Sequence, residues 1–440
     1  MKDKLPAYTV FVSIIAAIGG LLFGYQTAVV SGALLFLEGH FDLTTLQQQL
    51  VVSTLLIGAL IAAILGGSFA DHFGRKTSLL VTSLLFLVGT YLLTGANSVL
   101  EILTGRFIIG LGIGLASLVV PLYIAEMSPA KHRGMLVSFN QFAITIGILL
   151  AYIINYYFSS SQDWRWMFGF AFIPAVLQLI GLYFISDTPS WFISHGKKAK
   201  AMEVLEKTRR PKKEEEVLQK TNISRKEGRI KELFNTKVKA PFLVGIGISV
   251  FQQITGINIV IYYAPRIFQL AGFATAESAI SATLSIGIIN VLMTIVALWL
   301  IDRLGRRPLL IIGIAGMAAS LAVLGWSFLI ELEGISYIAV GSVMVYVSFF
   351  AISLGPIAWL IISEIFPLKI RGRAMGIAVF ANWSANYIVS LTFLTLVEIL
   401  GTGFTFWFYT TICLLALWFV IRKVPETKGK TLEQIQNFWE

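Results

Sequence analysis

Charge is scarce in this chain. Only 13% of its 440 residues are Asp, Glu, Lys or Arg while 56% are hydrophobic, and the mean hydropathy is +0.79. That balance excludes a soluble globular domain and marks an integral membrane protein. Cysteine is nearly absent: Cys413 is the single one and lies in the last apolar run, so neither a disulfide framework nor a thiolate metal cluster is available. The four histidines, His40, His72, His132 and His195, are scattered over loops, with no metal-ligand spacing and no nucleophile partner. No small-residue cleavage site follows Met1-Lys2-Asp3-Lys4 and the apolar stretch behind it runs past Leu35, so it reads as a first span and not a removed signal. With redox, metal and nucleophile chemistry set aside, no cofactor is expected.

What the chain has in abundance is long apolar runs. Twelve of bilayer-spanning length, about 20 residues each, fall near Val10 to Phe36, Leu50 to Phe69, Leu79 to Thr94, Leu103 to Ile124, Leu136 to Phe158, Met167 to Ile185, Ala240 to Ala271, Ile280 to Leu300, Leu309 to Leu329, Ile335 to Ile362, Met375 to Leu396 and Phe404 to Ile421. An even count puts both termini on one side. The basic loops around Arg75, Arg133, Arg306 and Arg371, the termini and the central segment make that side cytoplasmic, while Glu38, Asp42, Glu101 and Glu398 occupy opposite loops. A net charge of +10 therefore reflects topology, and nucleic acid is not an expected partner. The polar segment 196–239 divides two six-span bundles, 1–195 and 240–422, and 423–440 forms a cytoplasmic tail. Met202, Val204 and Leu205 interrupt the charge of the central segment, which favours a short packed helical piece over a solvated linker.

The charged turns repeat. Gly67-Ser68-Phe69-Ala70-Asp71-His72-Phe73-Gly74-Arg75-Lys76 is echoed by Trp299-Leu300-Ile301-Asp302-Arg303-Leu304-Gly305-Arg306-Arg307, and Glu126-Met127-Ser128-Pro129 with Arg133-Gly134 by Glu364-Ile365-Phe366-Pro367 with Arg371-Gly372. Order and offset are preserved, which is how a duplicated transporter bundle reads. Arg75, Glu126, Arg133, Arg306, Glu364 and Arg371 thus form a candidate cytoplasmic gate, in which Arg-carboxylate contacts hold that side shut and yield when it opens.

Two bundles with these motifs resemble the major facilitator superfamily, an all-α membrane fold of twelve helices. Finer motifs resemble its sugar porter family: Pro189-Ser190-Trp191-Phe192 after the sixth span is a degraded form of the family's Pro-Glu-Ser-Pro-Arg-Trp box, Gln252-Gln253-Ile254-Thr255-Gly256-Ile257-Asn258 lies in the seventh, and Pro425-Glu426-Thr427-Lys428-Gly429 follows the twelfth. The resemblance implies alternating access around a sugar held between the bundles, and no enzymatic chemistry. It also implies that Gln141, Gln252, Gln253, Asn258, Asn290, Trp359 and Asn386 bind the sugar.

The residue types agree independently. Neutral amides donate and accept, which suits sugar hydroxyls, and each such group at mid-membrane depth needs a partner or a cavity. Trp359 and Trp383 can stack on the apolar face of a pyranose ring, with Phe23, Tyr262 and Phe350 lining the remainder. Asn382 reads instead as a helix-helix hydrogen bond. Ile148 stands where some pentose porters carry an amide, which tilts the expectation from xylose towards a hexose such as glucose. Gly355-Pro356 in the tenth span and Gly256 in the seventh are expected breaks, and so hinges.

One departure from the family decides energetics. Phe23-Gly24-Tyr25-Gln26 stands where proton-coupled sugar porters carry Phe-Gly-Tyr-Asp, the aspartate there being paired with an arginine matching Arg106. Gln26 cannot titrate, so the expectation is uniport. The alternatives are an introduced Asp→Gln change in a symporter parent, in which case protons are a further partner, or coupling through another carboxylate. Outside transport, a membrane sugar receptor would need a larger soluble domain than the central segment offers. A drug or organic-anion exporter would need an intramembrane carboxylate or Arg cluster in the second bundle. The expected partners are a monosaccharide and the lipid bilayer, and the chain is expected to act as a monomer. Gly105 to Gly114 superficially matches a nucleotide box, but no strand precedes it, and small residues along an apolar helix form a close-packing face.

Overall fold

A computed structural model describes residues 5–208, 236–330, 334–366, 371–430 and 434–435. Their secondary structure is helical, without strands among the described residues. Among the described residues, twelve helical spans are long and apolar enough to cross a membrane: Ala7–Phe41, Thr45–Phe73, Arg75–Thr94, Val99–Met127, Arg133–Tyr157, Trp164–Tyr183, Lys239–Leu270, Ala276–Ile301, Arg306–Leu329, Ile335–Glu364, Arg373–Leu400 and Thr402–Lys423. The all-α fold of twelve spans expected from the apolar runs is the one observed. Several spans begin earlier than hydropathy alone places them, because charged turns and polar caps extend the helices beyond the apolar run. Arg75 and Arg306 each open a helix directly after a glycine, and Thr275 starts the eighth span with a capping box to Ser278, satisfying otherwise orphaned N–H groups.

Among the described residues four spans are interrupted, the first at Val29, the sixth between Gly169 and Phe172, and the seventh and tenth beside the polar residues of the second half. The seventh stops at Ile254 and restarts at Ile257 after Gly256, whose φ of +103° only glycine adopts without strain. The tenth stops at Ile352 and restarts at Leu354. That break falls one turn before Pro356, as proline dictates: it has no N–H to offer the Ile352 carbonyl, and its ring clashes there.

Contacts divide the chain into two units. Unit 1 runs to Gln26, takes Ile57–Ile148, and resumes at Phe168. Its spans approach closely through small residues. A side chain at Gly114 would meet the Ala59 carbonyl at 2.2 Å, and one at Gly105 would lie 3.0 Å from the Gly89 oxygen; the glycine-rich stretch of the fourth span is a packing face. Beyond the sixth span, a short helix Lys198–Lys207 buries Ala201, Val204 and Leu205 and leaves Met202 outward. The central-segment residues 209–235 lie outside the described residues. Unit 2 holds Thr27–Leu56, Leu149–Met167 and everything from the seventh span onward.

Candidate functional site

The seventh span carries the amides on both sides of its break. Gln252 and Gln253 end the first segment; Asn258 and Tyr262 open the second. Gln252 Nε2 donates to the carbonyls of Leu354 (2.9 Å) and Gly355 (3.1 Å) at the tenth-span break, and Gln252 Oε1 accepts from Asn382 Nδ2 at 2.7 Å. Gln253 Nε2 donates to Asn382 Oδ1 at 3.1 Å, and its Oε1 accepts from Asn258 Nδ2 at 2.6 Å. Asn382 also donates to the Ser249 carbonyl at 2.8 Å. The outcome is a chain of four amides, three buried and Asn258 half-buried, every link directional, inside one unit. Nearby, Asn386 Nδ2 donates to Tyr262 Oη at 3.2 Å and its Oδ1 accepts from Ser390. Such a network fixes the orientation of each amide in a setting where an unmet polar group is costly.

Asn382 holds helices together, as its sequence setting indicates, but it does so through the two glutamines singled out for sugar. The other expected residues of this unit are placed more loosely. Trp383 is buried and Trp359 is 38% exposed, while Asn290 is half-buried, with its carbonyl accepting from Thr294. Gln141 and Phe23 belong to unit 1, where both are half-buried.

Unit 1 contains the position where coupling would reside. Gln26 is fully buried; its Nε2 donates to Thr90 Oγ1 at 3.0 Å, and its Oε1 is buried with no hydrogen-bond partner among the described residues. Arg106, also fully buried, donates from Nη1 to the Gln26 carbonyl at 2.8 Å. The guanidinium thus meets the backbone of residue 26.

The charged turns are built twice on one plan. In unit 1, Arg75 Nη2 lies 3.2 Å and Nε 3.1 Å from the two Glu126 oxygens, Thr188 Oγ1 donates to Glu126, and Asp187 Oδ1 accepts from the backbone N–H groups of Arg75 and Lys76. In unit 2, Arg306 Nη2 lies 3.1 Å from Glu364, Thr427 Oγ1 donates to Glu364, and Glu426 accepts from the N–H groups of Arg306 and Arg307, both at 3.0 Å. Gly74 (φ +99°) and Gly305 (φ +92°) precede these helix starts, and a side chain on either would strike the capping carboxylate. Each Arg-Glu pair is made inside one half of the chain. Arg133 donates from Nε to the Ala125 carbonyl; the Arg371 side chain lies outside the described ones.

Burial pushes the Asp187 carboxyl above its ordinary range, against the N–H groups of Thr188, Arg75 and Lys76 and the charge of Arg75. Burial pushes Glu426 the same way, but N–H groups from Lys428, Arg306, Arg307 and Thr427 outweigh it and hold that carboxyl below its ordinary range. Asp187, Thr188 and Thr90 escaped the reading from sequence. The duplication held the signal for the first two: Asp187-Thr188 precedes Pro189 as the counterpart of Glu426-Thr427.

Comparison with known proteins follows the same lines. A family model described as "Sugar (and other) transporter" matches residues 12–439. The chain is 38% identical to the glucose transporter of Staphylococcus epidermidis over 98% of this chain and 97% of that protein. It is 39% identical to the D-xylose-proton symporter of Escherichia coli strain K12, over 99% and 96% respectively. Among solved structures, the inward open conformation of the xylose transporter from E. coli matches with a TM-score of 0.86 at 36% identity, covering 98% of this chain and 100% of that one.

Proposed function

The chain belongs to the sugar transporter family of the major facilitator superfamily, and on that premise we propose that it carries a glucose-like hexose across the plasma membrane as a uniporter. Its family consists of transporters and not enzymes, so the work asked of its residues is binding, release and switching. The observation that carries the sugar reading is the amide chain of buried Gln252, Gln253 and Asn382 with half-buried Asn258. Neutral donors and acceptors in alternation match hydroxyl groups, which donate and accept in turn, and they offer no counter-ion to a charged substrate. Gln141, Asn290 and Asn386 extend the polar surface, and Trp359, Trp383, Phe23 and Tyr262 supply apolar faces.

Uniport rests on Gln26. A carboxylate beside Arg106 would change charge on proton binding and so bias one conformation over another; an amide has no second protonation state. The chain works as a monomer with both termini cytoplasmic, and 1–195 and 240–422 act as its two bundles, with the paired Arg-Glu turns as the parts that respond during switching. Proton symport is the second reading, favoured by the similarity to the D-xylose-proton symporter.

Liposome uptake decides between them. We expect labelled D-glucose to equilibrate and exchange without accumulating when a proton gradient is imposed, and Gln26→Asp to gain gradient-driven accumulation. Accumulation by the unmodified chain would establish symport instead. Gln252→Ala, which strands buried amide partners, is expected to raise KM by about tenfold; an unchanged KM removes Gln252 from the sugar site.

A further inference from the structure

A helix broken inside a membrane leaves backbone groups that water cannot satisfy, so each break needs a donor or acceptor from elsewhere. At the seventh-span break the Ile259 N–H, which would ordinarily meet the Thr255 carbonyl, turns to Gly256 O at 3.1 Å, and Val260 N–H bonds the same oxygen at 3.3 Å. The Thr255 carbonyl is thereby released from its helix. Tyr346, from the first segment of the tenth span, donates its hydroxyl to that carbonyl at 2.9 Å. It is 1% exposed, so no solvent competes for the bond. The Cys413 thiol approaches the same oxygen at 3.9 Å, a weak contact at most.

We propose that Tyr346 is a positioning residue for the sugar site: its hydroxyl pins the seventh-span break at Thr255, and the pinned break sets how the two amide-bearing segments face one another. The inference rests on the reading of Gln252 to Asn258 as the sugar site. Its geometric core is the link from Asn258 Nδ2 back across the break to Gln253 Oε1 at 2.6 Å, a distance that depends directly on the bend. The Tyr346 hydroxyl bonds the Thr255 carbonyl and not the amides themselves. It acts on them through the backbone, three residues after Gln252 and three before Asn258. The tenth span therefore supports the cluster twice, once through Tyr346 and once through the Leu354 and Gly355 carbonyls that receive Gln252.

Tyr346→Phe removes one oxygen and keeps the ring. In D-glucose exchange by proteoliposomes this variant is expected to raise KM about tenfold with the maximal rate within about twofold of the unmodified chain, as loss of one buried hydrogen bond that orients binding groups predicts. Asn258→Ala alone is expected to raise KM, and to add little once Tyr346 is already Phe, because both changes disable the same alignment. Multiplying effects, or an unchanged KM in Tyr346→Phe, overturn the assignment. If Tyr346→Phe does not reach the membrane, Gly256→Ala tests the break from the backbone side, since a Cβ at that φ is strained: a raised KM supports the pin, an unchanged one refutes it. Gln252→Ala separates the two levels. If it leaves KM unaltered the sugar-site reading falls and the pin with it; if it raises KM while Tyr346→Phe does not, only the pin falls.

Discussion

Asp187 and Glu426 differ by one methylene and by how they use their oxygens. Asp187 presents a single oxygen, Oδ1, to the N–H groups of Arg75, Lys76 and Thr188; Glu426 presents both, Oε1 to Arg306 and Lys428 and Oε2 to Arg307. An asparagine at 187 can keep its oxygen on the three N–H groups, whereas a glutamine at 426 must turn an NH2 towards at least one of them. Charge points the same way. A carboxyl held below its ordinary value of 4.5, as in Glu426, contributes stability above that value and loses it as pH falls through the lowered one. A carboxyl raised above its ordinary value of 3.8, as in Asp187, costs stability when ionised, and acidification relieves the cost. At pH 7, Glu426→Gln should destabilise the folded protein by about 1 kcal/mol, the usual worth of a helix cap, while Asp187→Asn should leave its melting temperature unchanged or raise it. Thermal unfolding in detergent at pH 7 and pH 4 checks both signs, with the Glu426→Gln deficit shrinking at the lower pH.

At the scale of helices, close approach matters more than any single cap. Gly24 and Gly147 bring the first and fifth spans together, a Cβ on either lying 1.9 or 2.1 Å from the opposing backbone oxygen, and Gly114 does the same for the fourth and second. Gly114→Leu should therefore cost about 1–3 kcal/mol or more through overpacking against the Ala59 backbone, read as a loss of monodisperse protein on size exclusion. Helices of this kind are legible in sequence because hydropathy has the span of a bilayer as its ruler, and the small residues along Gly105 to Gly114 already read as a packing face. The amides were legible too, since a polar group in an apolar run must have a reason. Tyr346 was not: a tyrosine in an apolar helix looks like packing until the carbonyl it meets is known, and that carbonyl is freed only by a backbone turn ninety residues away. Thr90 escaped for a similar reason, its hydroxyl meeting Gln26 from another span. The break of the tenth span was legible from Pro356, though its place at Ser353 follows from where the ring clashes.

The contacts of the whole molecule do not follow the duplication. Residues 27–56 and 149–167 come from the first half of the sequence but cluster with the second, tied by Tyr152 Oη to the Ile261 carbonyl (3.2 Å), Gln49 Nε2 to Thr395 Oγ1 (2.9 Å), Thr45 to Glu398, and Glu38 to Arg266 at 3.5 Å. If these ties part during each transport cycle, joining Gln49→Cys to Thr395→Cys with a short reducible cross-linker should abolish most sugar exchange, and reduction should restore it; Cys413 is buried and does not compete. Exchange that persists after complete cross-linking would show that this seam stays closed throughout. The doubled turns carry a different consequence, for biogenesis. Asp187 and Thr188 follow the sixth span, and Glu426 and Thr427 follow the twelfth, so each half receives the groups that complete its charged turn only after its sixth helix. During synthesis the first bundle can lock before the second has left the ribosome, whereas the turn at Arg306 waits for the residues that follow the twelfth span, which makes loss of Glu426 and Thr427 a defect of assembly in the second bundle and not in the first.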